Sequence, residues 1–305
     1  MSIRQSPKLP LQNRKSVMPQ HSESTRQSEA AQQPEATPRQ GTAQQQERPA
    51  IPRLDVSHLA KTYGSGEKAR TVIEDLTFTV DAGEIVCIVG PSGVGKTTLL
   101  KCLAGLHPAS SGRAAIDGRT ISGPPPEMAL VFQDYNRSLM PWLTVRKNLV
   151  LPLKHLKLPA AELKERCDSA LAAVGLSHAD NQYPWQLSGG MQQRVAIARA
   201  LAYRPEILIM DEPFASVDAQ TRFDLEDLCL KIRRDFNMTI LVVTHDIDEA
   251  VYLADRVVVL GSRPARVHRI VDVHLPSPRD QITTRSLPGF AQQRTEVLSM
   301  IKRPA

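Results

Sequence analysis

The run GPSGVGKTT at residues 90–98 follows the apolar stretch EIVCIV and leads directly into LLKCLAGL. Gly90, Gly95, Lys96 and Thr97 fit the pattern G-x-x-x-x-G-K-[ST] without a mismatch, and Gly93 adds a third glycine inside it. Glycines let the main chain wrap so that successive N–H groups face inward. The helix expected from Lys96 adds the positive end of its dipole. Such a turn holds phosphate. Gly90 through Pro91, Ser92, Gly93, Val94 and Gly95 forms the cradle in this reading, and Lys96, Thr97 and Thr98 open the helix. Lys96 would act as a point charge on the β- and γ-phosphates, and the Thr97 hydroxyl would complete a Mg²⁺ shell. The plain alternative is a glycine turn joining a strand to a helix.

The flanking pattern constrains the rest. EIVCIVG, ALVFQ, ILIMDEP, TILVVTHD and RVVVLG are short apolar runs of strand length, as expected of strands buried on both faces. Helical stretches such as KTTLLKCLAGL and VAIARALAYR separate them, which predicts a parallel α/β sheet wrapped by helices. TVIEDLTFTV alternates instead, like a half-exposed strand. Residues 134–187 interrupt the alternation with mainly helical character and are expected to form an inserted subdomain. Within it Leu163, Cys167, Leu171 and Val174 share a face, and Gly175 is placed to end the helix.

Three of the apolar runs end in chemistry. ILIMDEP terminates in Asp211 and Glu212, which the preceding apolar residues leave at the carboxyl edge of the sheet, where open α/β folds bind ligands. Asp211 would hold the metal's water shell, and Glu212 would orient and polarise an attacking water. An acid pair at a helix N-terminus is the bland alternative. His245 closes TILVVTHD at the same edge, as a γ-phosphate contact or a packed polar residue. Gln133 closes ALVFQ, where it would read the metal and the attacking water or cap a strand.

LSGGMQQRVAIARAL places Ser188, Gly189 and Gly190 at the mouth of a strong helix. This is a second phosphate-binding design, made of a hydroxyl, open N–H groups and a helix N-terminus. One nucleotide already has the first cradle, so the second makes sense against a nucleotide held by another copy. The sequence resembles the ATP-binding subunits of ABC transporters, with GPSGVGKT, VFQ, LSGGMQQR, ILIMDEP, SVD and THD in that family's order. Its SVD stretch, Ser216-Val217-Asp218, departs from the common Ala-Leu-Asp but keeps Asp218.

The resemblance implies an α/β P-loop NTPase with a mostly parallel core sheet, an N-terminal antiparallel β subdomain and the helical insertion. The ATPase domain would span residues 51–290, with a C-terminal tail at 291–305. The resemblance also implies a head-to-tail dimer of two copies with two ATP and Mg²⁺ sandwiched between phosphate loop and signature, Asp218 beside them. Tyr63, in KTYG, matches the aromatic that stacks on adenine, although a lone tyrosine there could equally be core. Within the family, FQDYNRSLMPWLTVRKN, DEPFASVDAQTR and LGSRPARVHRIVDVHLPSPRD look most like the nitrate, sulfonate and taurine import branch. A membrane permease, a solute-binding protein acting through it, and residence on the cytoplasmic face of the membrane follow from that resemblance. SLMPWLTVRKNLVLPL carries Leu139, Met140, Trp142 and Leu143 in an expected loop, as a patch for the permease or as the small core of the insertion.

Composition narrows the partners. The formal charge is +6, but residues 1–50 carry +3 and residues 261–305 carry +5, which leaves the body at −2. A body without excess cation argues against an ATPase clamped on nucleic acid. Residues 1–50 are rich in Gln, Ser and Pro and are expected to be disordered. Cys87, Cys102, Cys167 and Cys229 show no metal or disulfide spacing, and no apolar run reaches spanning length.

Overall fold

Parallel strands need crossover connections, and each crossover places a helix on one face of the sheet or the other. The computed structural model describes residues 51–134, 138–261 and 263–302; the expected disordered tail at 1–50 lies outside the described residues. The core strands are β3 (Ile85–Val89), β6 (Met128–Val131), β7 (Ile207–Asp211), β8 (Thr239–Val243) and β9 (Arg256–Leu260). They run parallel in the order β9-β3-β8-β7-β6. Around β9 the chain adds β10 (Ala265–Asp272), which is antiparallel to β9 and reaches β2 (Arg70–Val80) on its other side. β2 pairs with β1 (Leu54–Tyr63), and β4 (Ser111–Ile116) and β5 (Arg119–Thr120) extend that antiparallel part. Mostly parallel core and antiparallel β part are both as expected.

The pleat sorts the core into two faces. Ile85, Cys87 and Val89 of β3, Leu208 and Met210 of β7, and Ile240 and Val242 of β8 join one apolar cluster. Val86 and Ile88, Ile207 and Ile209, and Leu241 and Val243 join the other. The period of two therefore holds in strands whose sequence shows no alternation, because both faces are covered. β2 alternates along Leu76, Phe78 and Val80 and, across a register shift, also buries Ile73.

The second face is covered by α1 (Lys96–Leu103) and the antiparallel strands. The first is covered by the insertion, the later helices and the C-terminal helix. The insertion contains α2 (Val145–Val150) and α3 (Ala160–Ala173), and α3 packs on α4 (Gly189–Ala202). The apolar face of α3 is covered by α4, the helix that follows the insertion. Cys167, Leu171 and Val174 are buried as the spacing predicts, and Gly175 takes φ +74° to end the helix. α5 (Ala219–Phe236) and α6 (Ile247–Leu253) follow β7 and β8.

The C-terminal boundary differs from the expectation. Residues placed in a tail from 291 onward form α7 (Pro288–Lys302), which packs on α6 and β9. Its Phe290 and Val297 are buried in the first cluster, so the core extends past residue 290. All four cysteines are free and buried, as small apolar residues. Among the described residues no helix is long and apolar enough to cross a membrane.

Candidate functional site

The carboxyl ends of β3, β8, β7 and β6 are adjacent in the sheet, so whatever follows each strand meets at one edge. After β3 the chain turns through residues 90–95, with Val94 N–H donating to the Pro91 carbonyl at 3.2 Å. Val94 puts its side chain into the core, so its contribution to a ligand is made by the main chain. Gly95 precedes α1 at φ +125°, a conformation that a β-carbon would oppose, and a β-carbon there would also lie 3.1 Å from Val72 Cγ1. α1 opens at Lys96, the position expected from the sequence.

Lys96 is buried, and its ammonium donates to the Gly90 carbonyl at 2.9 Å and the Pro91 carbonyl at 3.4 Å. Burial holds the Lys96 pKa below the ordinary lysine range, against the opposing pull of Glu212 and Asp211. The Thr97 hydroxyl donates to Asp211 Oδ2 at 3.3 Å, which joins the phosphate loop to the end of β7. Burial raises the Asp211 carboxyl, and the Thr97 hydrogen bond opposes that rise. Thr98 is half-buried beside them, and Ser92 and Gly93 are exposed at the loop tip.

Glu212 follows β7 at φ +44°, with its N–H donating to the Val243 carbonyl of β8 at 2.8 Å. A non-glycine residue in this region costs about 1–2 kcal/mol, a conformation that persists when surrounding structure enforces it. Here the twist delivers the carboxylate to two partners. Gln133 Nε2 donates to Glu212 Oε2 at 3.2 Å, and His245 Nδ1 lies 3.0 Å from the same oxygen. A carboxylate can only accept, so this contact is a hydrogen bond when His245 has a proton on Nδ1. Residues from three different strand ends, Gln133, Glu212 and His245, are thus brought into one hydrogen-bonded group.

Behind His245 lies a buried support that sequence reasoning missed. Thr244 Oγ1 donates to Glu249 Oε2 on α6 at 2.6 Å, and Arg222 of α5 bridges Asp246 at 3.1 Å and Glu249 at 3.6 Å. No motif marks Glu249; its role follows from the packing of α5 on α6.

Ser188 caps α4, with Oγ accepting from Met191 N–H at 3.3 Å. Ser188 and Gly189 are exposed, and no hydrogen bond among the described residues joins them or Gly190 to the phosphate loop. Gly190 has no room for a side chain, since a β-carbon would sit 2.3 Å from Thr221 Cγ2 on α5. Asp218 caps α5 by accepting from Thr221 N–H at 3.0 Å and Thr221 Oγ1 at 2.6 Å, bonds that hold its carboxyl below the usual range. Tyr63, at the end of β1, is 37% exposed and so is no core residue. Its hydroxyl meets His107 Nδ1 at 2.8 Å, with the Lys61 ammonium 5.0 Å over its ring.

The apolar loop divides in two. Leu139 is buried in the core cluster, which overturns its place in an exposed patch; Met140 and Leu143 are half-buried, and Trp142 is 71% exposed. Buried Asn148 fixes this loop: its amide accepts from Met140 N–H and donates to the carbonyls of Met140, Leu143 and Thr144.

Known proteins align with this arrangement. Residues 73–215 match the family described as ABC transporter. The aliphatic sulfonates import ATP-binding protein of Bacillus licheniformis is 45% identical over 238 residues, 78% of this chain and 90% of that protein. The nitrate import ATP-binding protein of Synechococcus elongatus is 42% identical over 248 residues, 80% of this chain and 90% of that protein. Among solved structures, the dimeric MJ0796 cassette in a post-hydrolysis state with ADP and Pi superposes with a TM-score of 0.63 at 32% identity, covering 72% of this chain and 99% of that one. The chain belongs to the ABC transporter family, as an ATP-binding subunit that hydrolyses ATP to drive transport.

Proposed function

We propose that two copies of the chain close head to tail over two ATP molecules, each held by the phosphate loop of one copy and the Ser188-Gly189-Gly190 cap of the other. The observation that carries this reading is the division of the site. Gln133, Glu212 and His245 gather beside Thr97 and Asp211, whereas among the described residues the exposed cap of α4 shares no hydrogen bond with that group. A second phosphate cradle on the same chain, open to solvent, suits a nucleotide carried by a neighbour. The dimeric state of the MJ0796 cassette supports it.

In this reading the loop N–H groups and Lys96 bind the β- and γ-phosphates, and Lys96 leaves the Gly90 and Pro91 carbonyls to do so. Tyr63 offers its ring to the adenine. Glu212 accepts a hydrogen bond from the attacking water and polarises it, held in place by Gln133 and His245, while His245 Nε2 faces the γ-phosphate side. Asp218 sits at the seam between copies. The Thr97 hydroxyl and the Asp211 carboxylate meet at 3.3 Å, and with the side-chain oxygen of Gln133 they would make a hard oxygen donor set that fits Mg²⁺. Mg²⁺ bound with the nucleotide would neutralise phosphate charge there.

Trp142, standing out of a loop held by Asn148, is the proposed contact for a membrane permease, with Leu143 beside it. Through that permease the chain lies on the cytoplasmic face of the membrane, and a solute-binding protein delivers the cargo. The likeness to sulfonate and nitrate import proteins supports a small oxyanion or a taurine-like sulfonate as cargo.

The test is Glu212→Gln in the full chain. The amide keeps the shape of the site but cannot polarise water, so MgATP should convert the variant to a stable dimer. Its phosphate release should fall by about 10²–10⁴-fold. A variant that stays monomeric in saturating MgATP by size-exclusion chromatography refutes the sandwich.

A further inference from the structure

The turn between β9 and β10 carries a cation that none of these roles uses. The end of β9 backs the phosphate loop: a β-carbon on Gly90 would lie 3.0 Å from the Leu260 carbonyl oxygen. Just beyond, Arg263 crosses to the loop tip, where its Nη2 donates to the Ser92 carbonyl at 2.6 Å. The guanidinium lies close over Gly93, so that a β-carbon there would be 2.5 Å from the same nitrogen. Among the described residues Arg263 has no carboxylate in ion-pair reach, and Ser92 is its hydrogen-bond partner.

The Ser92 carbonyl and the Gly93 N–H belong to one planar trans peptide and therefore point in opposite directions. A donor fixed on the carbonyl sets where the N–H points. It also polarises the peptide and strengthens the N–H as a donor. Gly93 needs such control, because at φ +71° it is a glycine whose neighbouring peptide planes turn at little cost. Lys96 already covers the Gly90 and Pro91 carbonyls, so two cations hold three successive carbonyls of the loop. Lys96 has to give up its two when it turns to a phosphate; Arg263, arriving from outside, does not.

We infer that Arg263 is a positioning residue of the phosphate loop, holding the Ser92–Gly93 peptide with its carbonyl outward and its N–H toward the nucleotide's phosphates. This rests on the nucleotide-binding reading of the loop. The experiment compares the wild-type full chain with Arg263→Ala and Arg263→Lys, using MgATP binding by calorimetry, steady-state phosphate release and nucleotide-free melting. The alanine variant should bind MgATP about tenfold more weakly and raise KM to match, while kcat at saturation stays within about threefold. Lysine, which can also donate to the Ser92 carbonyl, should recover most of the loss. Melting without nucleotide should be unchanged in both, since the side chain is exposed. Wild-type affinity in the alanine variant overturns the inference and leaves the nucleotide site intact. So does a lysine variant no better than alanine, or a loss of affinity matched by a loss of nucleotide-free stability. A wild-type chain that binds no MgATP overturns the nucleotide reading together with this inference.

Discussion

At the scale of single residues, the site depends on side chains whose surroundings leave few substitutes. Glu212 reaches Gln133 and His245 from a backbone conformation that an isolated glutamate would avoid. Gly190 shows the same constraint by its missing side chain. It lies where α4 meets α5, and the residue it would strike, Thr221, also donates to the Asp218 cap. α4 and the start of α5 therefore pack so closely that the Thr221 methyl fills the space a β-carbon at 190 would need. Gly190→Ala should destabilise the chain by about 1–3 kcal/mol in denaturant unfolding, the usual penalty of overpacking. Thr221→Ser removes that methyl but keeps the hydroxyl bond to Asp218. The double variant should therefore regain most of the lost stability, and an additive double variant would show that the contact is not the cause.

At the scale of elements, α5 and α6 hold the His245 turn from behind. Arg222 on α5 reaches Asp246 and Glu249, and Glu249 on α6 takes the hydrogen bond of Thr244. Burial pushes the Glu249 carboxyl up from 4.5 to about 7; its bond from Thr244 opposes the rise, and the nearby Asp246 and Glu226 carboxylates add to it. An acid with a raised folded-state pKa favours folding while it is protonated in both states. That contribution is complete below the unfolded value of 4.5 and is lost as pH climbs through about 7. Glu249→Gln should remove this slope. Relative to wild type, the variant should gain on the order of 1–3 kcal/mol between about pH 5 and about pH 8. Parallel stability curves for the two proteins across that window would exclude Glu249 as the titrating group.

At the scale of the whole molecule, the helical insertion presents Trp142 while keeping Leu139 inside. The two residues lie three positions apart in one apolar run, yet one is 71% exposed and the other 1%. Their variants should separate accordingly. Trp142→Asp should abolish assembly with the permease, read by co-purification from membranes, and change stability by less than about 0.5 kcal/mol. Leu139→Ala should cost about 2–5 kcal/mol through its cavity and the lost burial. Normal assembly by the Trp142 variant would return that surface to solvent.

Much of this was legible in the chain itself. The phosphate loop is local: its glycines, Lys96 and the start of α1 are consecutive, so short-range geometry fixes them. The five core strands declare themselves by short runs of apolar residues, and Asp211, Glu212, Gln133 and His245 are placed because each ends or closely follows one of those runs. What sequence could not reach is whatever depends on meeting a distant segment. β10 and α7 carry mixed patterns that make sense only against β9 and α6. The burial of Leu139 depends on the core beneath it, as the Glu249 support does on the packing of α5 against α6. The grip of Arg263 on Ser92 spans 171 positions of the chain. Local motifs determine which chemistry the chain carries; tertiary packing decides which side chains face it, because burial and hydrogen-bond partners belong to neighbours that the order of residues does not specify.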